Sequence, residues 1–301
     1  MAERSRWSPA TIVEWAAIAT LGTVFGWLPE SVAYALGEGA GRLLFHLDRR
    51  HRAIAAGNLA AAFPGRHSPA ELGLLVRAVF ENLGRTVVDV ARSSRLFSPT
   101  GEPRFRLDGL ELMREARARG KGVLLLTGHF GPWELLVAAS ALRYGPIHIV
   151  ARPLDNPRLD DLITALRERG GNWVIRKREA VQAILQALRR GETVGILIDQ
   201  HISEREGVVV PFFGRPACLA TGYIRVAMSA GATILPLACR WTPERGYSVL
   251  TKPPLVLELT GDREADVLHN ARRVLAIMEH WIAETPDQWL MYHPVWPQEC
   301  Q

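Results

Sequence analysis

The fold class this sequence predicts is α/β: a mixed, mostly parallel sheet flanked by helices, preceded by a helical segment that associates with a membrane. Three observations predict it. Residues 8 to about 95 read as helical throughout. After "RLFSPTGEPRF" short apolar runs alternate with helical stretches, as in sheets covered on their faces by helices. The stretch 11–29, "TIVEWAAIATLGTVFGWLP", is apolar apart from Glu14 and a few threonines.

That N-terminal stretch covers about 27 Å as a helix, just enough for a bilayer core. Glu14 is costly inside hydrocarbon, and no small-residue cleavage site of the secretory kind follows. The basic run "HLDRRHR" comes next, at 46–52. The expectation is a helix, around 10–28, anchored in or through a membrane with the rest of the chain on the cytoplasmic side. "NLAAAFP" (58–64) closes a helix at its proline, and "SPAE" from Ser68 opens the next with a capping box, Ser68 to Glu71, and Pro69 in the first turn. Strands are expected at 122–127, 146–152, 172–175, 193–199 and 232–241. Helices are expected between them, including "CLATGYIRVAMSAGA" (218–232). The organisation is therefore a helical region, 1–95, and an α/β region, 96–301.

Composition narrows the function. Hydrophobic residues make up 48% of the 301, enough for a large core. The net charge of +5 suits an anionic lipid surface or a phosphorylated substrate and does not demand nucleic acid. Cys218, Cys239 and Cys300 stand far apart with no CxxC pair, which argues against a zinc cage or disulfide framework. "GEGAGR" (37–42) lacks the third glycine and the preceding strand of a dinucleotide loop, and reads better as helices packed through small residues. GxxxxGK[ST], GxSxG and HExxH do not occur, which lowers nucleotide hydrolysis, serine-esterase chemistry and the common zinc proteases.

"VLLLTGHFGPWELL" (123–136) carries the chemistry. His129 and Glu134 are five residues apart, a spacing that on one helix separates them by about 140°. Gly131-Pro132 supplies a break: glycine admits unusual backbone angles and proline excludes its predecessor from the helical region. His129 is thus expected on the loop at a strand end and Glu134 in the first turn of the next helix, its carboxylate swung back to the imidazole. Such a pair takes a proton from a substrate hydroxyl, the acid fixing the tautomer. A second pair of the same spacing, His201/Glu206, has no apolar helix behind it and reads as a solvated loop. From Arg152 to Arg190 there are nine Arg/Lys and five Asp/Glu, a surplus suited to phosphates or to an acidic carrier protein.

"TGHFGPWELL" resembles the central motif of the bacterial lipid A late acyltransferases (the lauroyl/myristoyl family). So do "RRHRAIAAGNLAAAFPGRHSPAE", "LRRGETVGILIDQH", "VPFFGRPACLATG", "GATILPLACR" and "PDQWLMYHPVW", in order from about residue 45 to 297. The resemblance implies a membrane-associated acyltransferase of the bacterial inner membrane, catalytic domain on the cytoplasmic side. It would move a fatty acyl chain from acyl carrier protein, or less readily coenzyme A, to a hydroxyl of a lipid A precursor in lipopolysaccharide biosynthesis. No cofactor and no metal are expected. The resemblance makes His129 the general base and Glu134 its partner. Asp199 matches the family's acidic position and would order the site or the acceptor. An arginine before "NWVI" belongs to the pattern; Arg167 and Arg169 both fit, with Arg167 preferred. Arg215 would contact phosphate or pack in its loop, and Pro236 would be structural. Pro132-Trp133 stands where several relatives carry Asn-Trp, and "HPVW" replaces a more basic pattern. The rival readings are an acyltransferase for another glycolipid, such as a phosphatidylinositol mannoside, and a lipid-binding relative without turnover.

Overall fold

In the computed structural model the described residues are 5–96, 105–107, 109–176, 180–203, 207–242, 244 and 246–296. Helices α1 (Pro9–Trp27), α2 (Glu30–Leu47), α3 (Arg49–Ala62) and α4 (Pro69–Leu96) fill the predicted helical region. The expected junction after residue 95 runs into residues outside those described, as do Glu206 and Cys300. Local chemistry sets the helix ends. The Ser68 backbone N–H donates to Glu71 Oε2 (2.8 Å) and Ser68 Oγ accepts from the Glu71 N–H, so the capping box forms as read. "GEGAGR" lies inside α2. A Cβ on Gly37 would stand 2.8 Å from the Gly84 carbonyl oxygen of α4, and one on Gly41 would stand 2.2 Å from that of Phe80, so these glycines let the two backbones touch.

The α/β region runs β1 (Phe105–Leu107), α5 (Leu110–Ala118), β2 (Val123–Thr127), α6 (Trp133–Tyr144), β3 (His148–Ala151), α7 (Pro157–Arg167), β4 (Trp173–Arg176), α8 (Ala180–Arg189), β5 (Thr193–Leu197), β6 (Val208–Phe212), β7 (Arg215–Leu219), α9 (Gly222–Ala230), β8 (Thr233–Trp241), β9 (Tyr247–Thr251) and α10 (Arg263–Glu284). The large sheet has the order β1-β9-β8-β2-β5-β3-β4. Its pairs are parallel except β8 with β9. In β2, Val123 to Leu126 are all buried, because helices cover both faces. Val123 and Leu125 pack with Met113 of α5 and Leu135 of α6. Leu124 and Leu126 pack with Leu188 of α8, Ile224 of α9 and Val274 of α10.

One helix reading is corrected. Cys218 and Leu219 close β7 of a separate hairpin, β6–β7, and α9 starts only at Gly222. The chain turns through Phe213 (φ 50°) and Gly214 (φ 71°), a two-residue reversal that fits a hairpin, with Phe where Asn is usual. His201 also departs from a solvated loop: it is half-buried and bridges to Leu219 of β7.

A buried polar cluster fastens the helical region to the sheet. Asp89 of α4 accepts from Tyr34 of α2 and Tyr247 of β9 (2.5 Å each) and from the Trp241 indole of β8 (3.1 Å). Burial pushes the Asp89 carboxyl up to about 6 against the pull of these three donors. Asp89→Ala leaves the donors unpaired and should lower the unfolding free energy by about 3 kcal/mol in urea titrations. Because the folded value lies above the ordinary one, the folded state binds the extra proton between them. Wild-type stability relative to Asp89→Asn should therefore fall as pH rises from 4 to 7.

Candidate active site

The carboxyl ends of the parallel strands gather the polar groups, as open α/β sheets favour. Thr127 and Leu197 are paired residues at the ends of neighbouring β2 and β5, and the Ile198 N–H donates to the Thr127 carbonyl. His129 and Asp199, each two residues further on, therefore face each other across the join. His129 Nδ1 lies 2.8 Å from Asp199 Oδ1, and the His129 backbone N–H donates to Asp199 Oδ2 at 2.8 Å. Trp289 Nε1 donates to the same Oδ2 at 3.0 Å.

Asp199 is buried. Burial raises its pKa, but the His129 charge, the His129 ring and backbone N–H and the Trp289 indole outweigh that and hold it below the usual carboxylate range. An ionised carboxylate only accepts, so Nδ1 carries the hydrogen and, in the neutral ring, Nε2 carries the lone pair. The Gln200 amide nitrogen stands 3.3 Å from Nε2, and the Trp133 ring packs edge-on to the imidazole at 5.4 Å.

The backbone is shaped for this contact. A Cβ on Gly128 would come within 2.9 Å of the Asp199 carboxylate and 2.4 Å of Met278. Gly131 has φ +54°, and a Cβ there would meet the Cys239 carbonyl oxygen at 2.2 Å. The break at Gly131-Pro132 is as the sequence predicts, and α6 begins at Trp133 with Glu134 in its first turn.

Glu134, however, does not hold the histidine. Its two oxygens accept from Arg167 of α7, at 2.9 Å from Nε and 2.5 Å from Nη2, in a pair about 85% buried on both sides. Among the described residues the carboxylate bonded to His129 is that of Asp199. The register of two strands brings together residues 70 apart in sequence, which no local spacing reveals. Arg167, though burial alone would lower it, is pushed above its ordinary pKa by Glu134. Arg169 turns the other way, to Ser93 of α4 at 3.2 Å. Arg215 is exposed at the start of β7 and, with Ile54, Asn58, Ala61, Pro294 and Trp296, lines a groove of about 340 Å³. Pro236 lies in β8, paired with Leu126 of β2.

The closing segment completes the site. The Leu290 N–H donates to the His129 carbonyl and the Gly131 N–H to the Gln288 carbonyl, both at 2.8 Å, so 288–290 runs beside 129–131 as a short ribbon. Helices α3 and α4 grip this segment: Asn58 bonds the His293 carbonyl and the Val295 N–H, and Asn82 bonds Asp287. Trp289 and Gln288 are positions of the candidate site that residue-level reading of the sequence passed over; the tryptophan in "PDQW" was the available signal. His293 is held below its usual pKa chiefly by burial. Among the described residues no three His, Cys, Asp or Glu side chains converge as a metal-binding set.

Comparison with known proteins fits this arrangement. The chain is 28% identical to the lipid A biosynthesis lauroyltransferase of Escherichia coli, covering 88% of this chain and 85% of that one. It is 27% identical to the lipid A biosynthesis palmitoleoyltransferase of the same organism, covering 91% and 88%. A phosphatidylinositol mannoside acyltransferase of Mycobacterium tuberculosis is 28% identical over 63% of this chain and 59% of its own. The family described as bacterial lipid A biosynthesis acyltransferase matches residues 2–298. With a match along nearly its whole length, the chain belongs to that family of acyltransferases.

Proposed function

We propose that this acyltransferase moves a fatty acyl chain from the thioester of acyl carrier protein to a hydroxyl of a lipid A precursor. The site would lie on the cytoplasmic side of the bacterial inner membrane. His129 is the general base: Nε2 takes the hydroxyl proton as the oxygen attacks the thioester carbonyl. Asp199 keeps the hydrogen on Nδ1 and steadies the imidazolium that forms. When the tetrahedral intermediate collapses, the C–S bond breaks and the imidazolium returns the proton to the leaving thiolate, so no net charge is left on the enzyme. Glu134 is assigned a different part from direct partnership with the histidine. It fixes Arg167 beside the first turn of α6, and that guanidinium is proposed to meet a phosphate of the acceptor. Arg215 is proposed as a further phosphate contact at its groove.

The observation that carries this reading is the imidazole whose Nδ1 is engaged by buried Asp199 while Nε2 faces only the neutral amide of Gln200 among the described partners. The similarity to a phosphatidylinositol mannoside acyltransferase keeps a second glycolipid acceptor in view. Purified protein incubated with acyl carrier protein thioester and either acceptor, read by mass spectrometry, separates the two. An added acyl group on the lipid A precursor supports the proposal; acylation of the mannoside alone overturns the acceptor assignment.

His129→Ala should lower kcat by about 10²–10⁴ while the protein still binds membranes. Undiminished turnover would end the general-base assignment. Asp199→Asn should lower kcat by a similar factor, about 10³–10⁴, through the wrong tautomer. In double-mutant cycles on kcat/KM, His129 with Asp199 and Glu134 with Arg167 should each be strongly non-additive. His129 coupled more strongly to Glu134 than to Asp199 would restore the adjacent-residue pairing. Trp289→Phe keeps an aromatic side chain but removes the indole donor from a buried charge and leaves part of its space empty, and should cost at least about 2 kcal/mol of stability, checked by urea unfolding.

A further inference from the structure

Helix α1 is long and apolar enough to cross a membrane, and little of it is buried against the rest of the protein. Its two ends, however, are fastened to the same globular body. At the N-terminal end Asn156, in the turn that opens α7, donates to the Thr11 carbonyl (3.1 Å) and to Glu14 Oε2 (3.0 Å). Arg158 donates to the Arg6 carbonyl and stacks on both Trp7 and Trp15, with ring centroids at 4.7 and 5.3 Å. At the C-terminal end Arg92 of α4, itself buried, donates to the carbonyls of Phe25 (2.8 Å) and Leu28 (2.7 Å). Between these points one side of the helix, through Trp15, Ala19, Gly22 and Gly26, is half-buried, as α1 packs on α4 and α7.

The helix is about 28 Å long at 1.5 Å per residue. Spanning would set its ends at opposite faces of a hydrocarbon layer about 30 Å thick. The parts of α4 and α7 that bind those ends would have to follow, with Arg92, Arg158 and Glu14 drawn into the layer or to its far side, at high cost. The side of α1 turned away from the body is apolar and open: Val13 is 67% exposed, Leu21 52% and Trp27 79%. On α2, next in the chain, Leu36, Leu43, Leu44 and Leu47 are also exposed. Exposed His46, Arg49 and Arg50 flank those leucines. The nearby acids are engaged, Glu38 by Arg85 and Asp48 by His51. An apolar strip edged by the exposed arginines Arg49 and Arg50 matches the interface of an anionic lipid monolayer. The N-terminal end of α1 also docks just past the carboxyl end of β3, on the side of the sheet that carries His129 and Asp199.

We propose that α1 lies in the plane of the membrane interface instead of crossing the bilayer. Both its ends are then on one side, and the exposed faces of α1 and α2 form a lipid-binding surface beside the active-site mouth. This deepens the membrane placement proposed above and rests on it for the identity of the partner.

The test uses the full chain with Cys300→Ser, Cys218 and Cys239 being buried. Ser5→Cys and Ser31→Cys, both at exposed positions flanking α1, are made singly. Sealed membrane vesicles with the cytoplasmic face outward are treated with a membrane-impermeant maleimide. Both cysteines should label fully before detergent is added. Labelling of one before detergent and the other only after it means that α1 spans, and overturns the proposal. As a second measurement, Leu21→Lys/Val24→Lys should weaken co-sedimentation with phosphatidylglycerol-containing vesicles at least tenfold, with an unchanged thermal transition. Unchanged binding, or a wild-type protein that ignores lipid and dimerises instead, also overturns it. Neither readout involves turnover, so an active His129→Ala protein labelled from one side would sink the catalytic reading and leave this one standing.

Discussion

A buried carboxylate hydrogen-bonded to a histidine is the constraint on which the rest of this structure depends. Removing the Asp199 charge from water costs several kcal/mol unless fixed donors replace the lost solvent. The donors are the imidazole, the His129 backbone N–H and the Trp289 indole. Each comes from a different requirement of the fold. The first two need the β2 loop to approach so closely that residue 128 has no space for a side chain. The third needs the closing segment to run back beside that loop. The site is therefore a property of three chain segments at once.

The helical region takes part through that third segment. Asn58 and Asn82 hold residues 287–295 from the helix side, and the Gln288 side chain is paired with both backbone polar groups of Trp241 at the end of β8. Asp89 ties α4 and α2 to the same strand and to its neighbour β9. Helices that carry an apolar outer face and an inner face of polar clasps couple that exposed apolar surface to the His129–Asp199 contact. The Glu134–Arg167 pair links α6 to α7 in the same manner, and it engages the Glu134 carboxylate away from the histidine.

Much of this was legible in the sequence because it is local. The capping box at Ser68, the helix end at Pro64, the break at Gly131-Pro132 and the buried run 123–126 follow from neighbours in the chain. The family resemblance also placed an acid at Asp199. What the sequence obscured is non-local. Glu134 looked like the partner of His129 because it is close in number, whereas strand register brings in Asp199. The β6–β7 hairpin was hidden by a Phe-Gly turn that lacks the usual Asn-Gly signal, so "CLA" read as the start of a helix. Trp289 was visible only as part of the closing "PDQW" block, since a buried tryptophan usually means packing alone and its indole reaches Asp199 only through the fold.

The most direct test of the Asp199–His129 contact is the tautomer of that imidazole. In protein labelled with ¹⁵N-histidine, His129 being assigned by its loss in His129→Gln, the neutral ring should show a protonated Nδ1 and a lone-pair Nε2. The Nδ1 resonance should shift strongly in Asp199→Asn and little in Glu134→Gln. A ring protonated on Nε2, or one that responds to Glu134→Gln and ignores Asp199→Asn, would contradict the account.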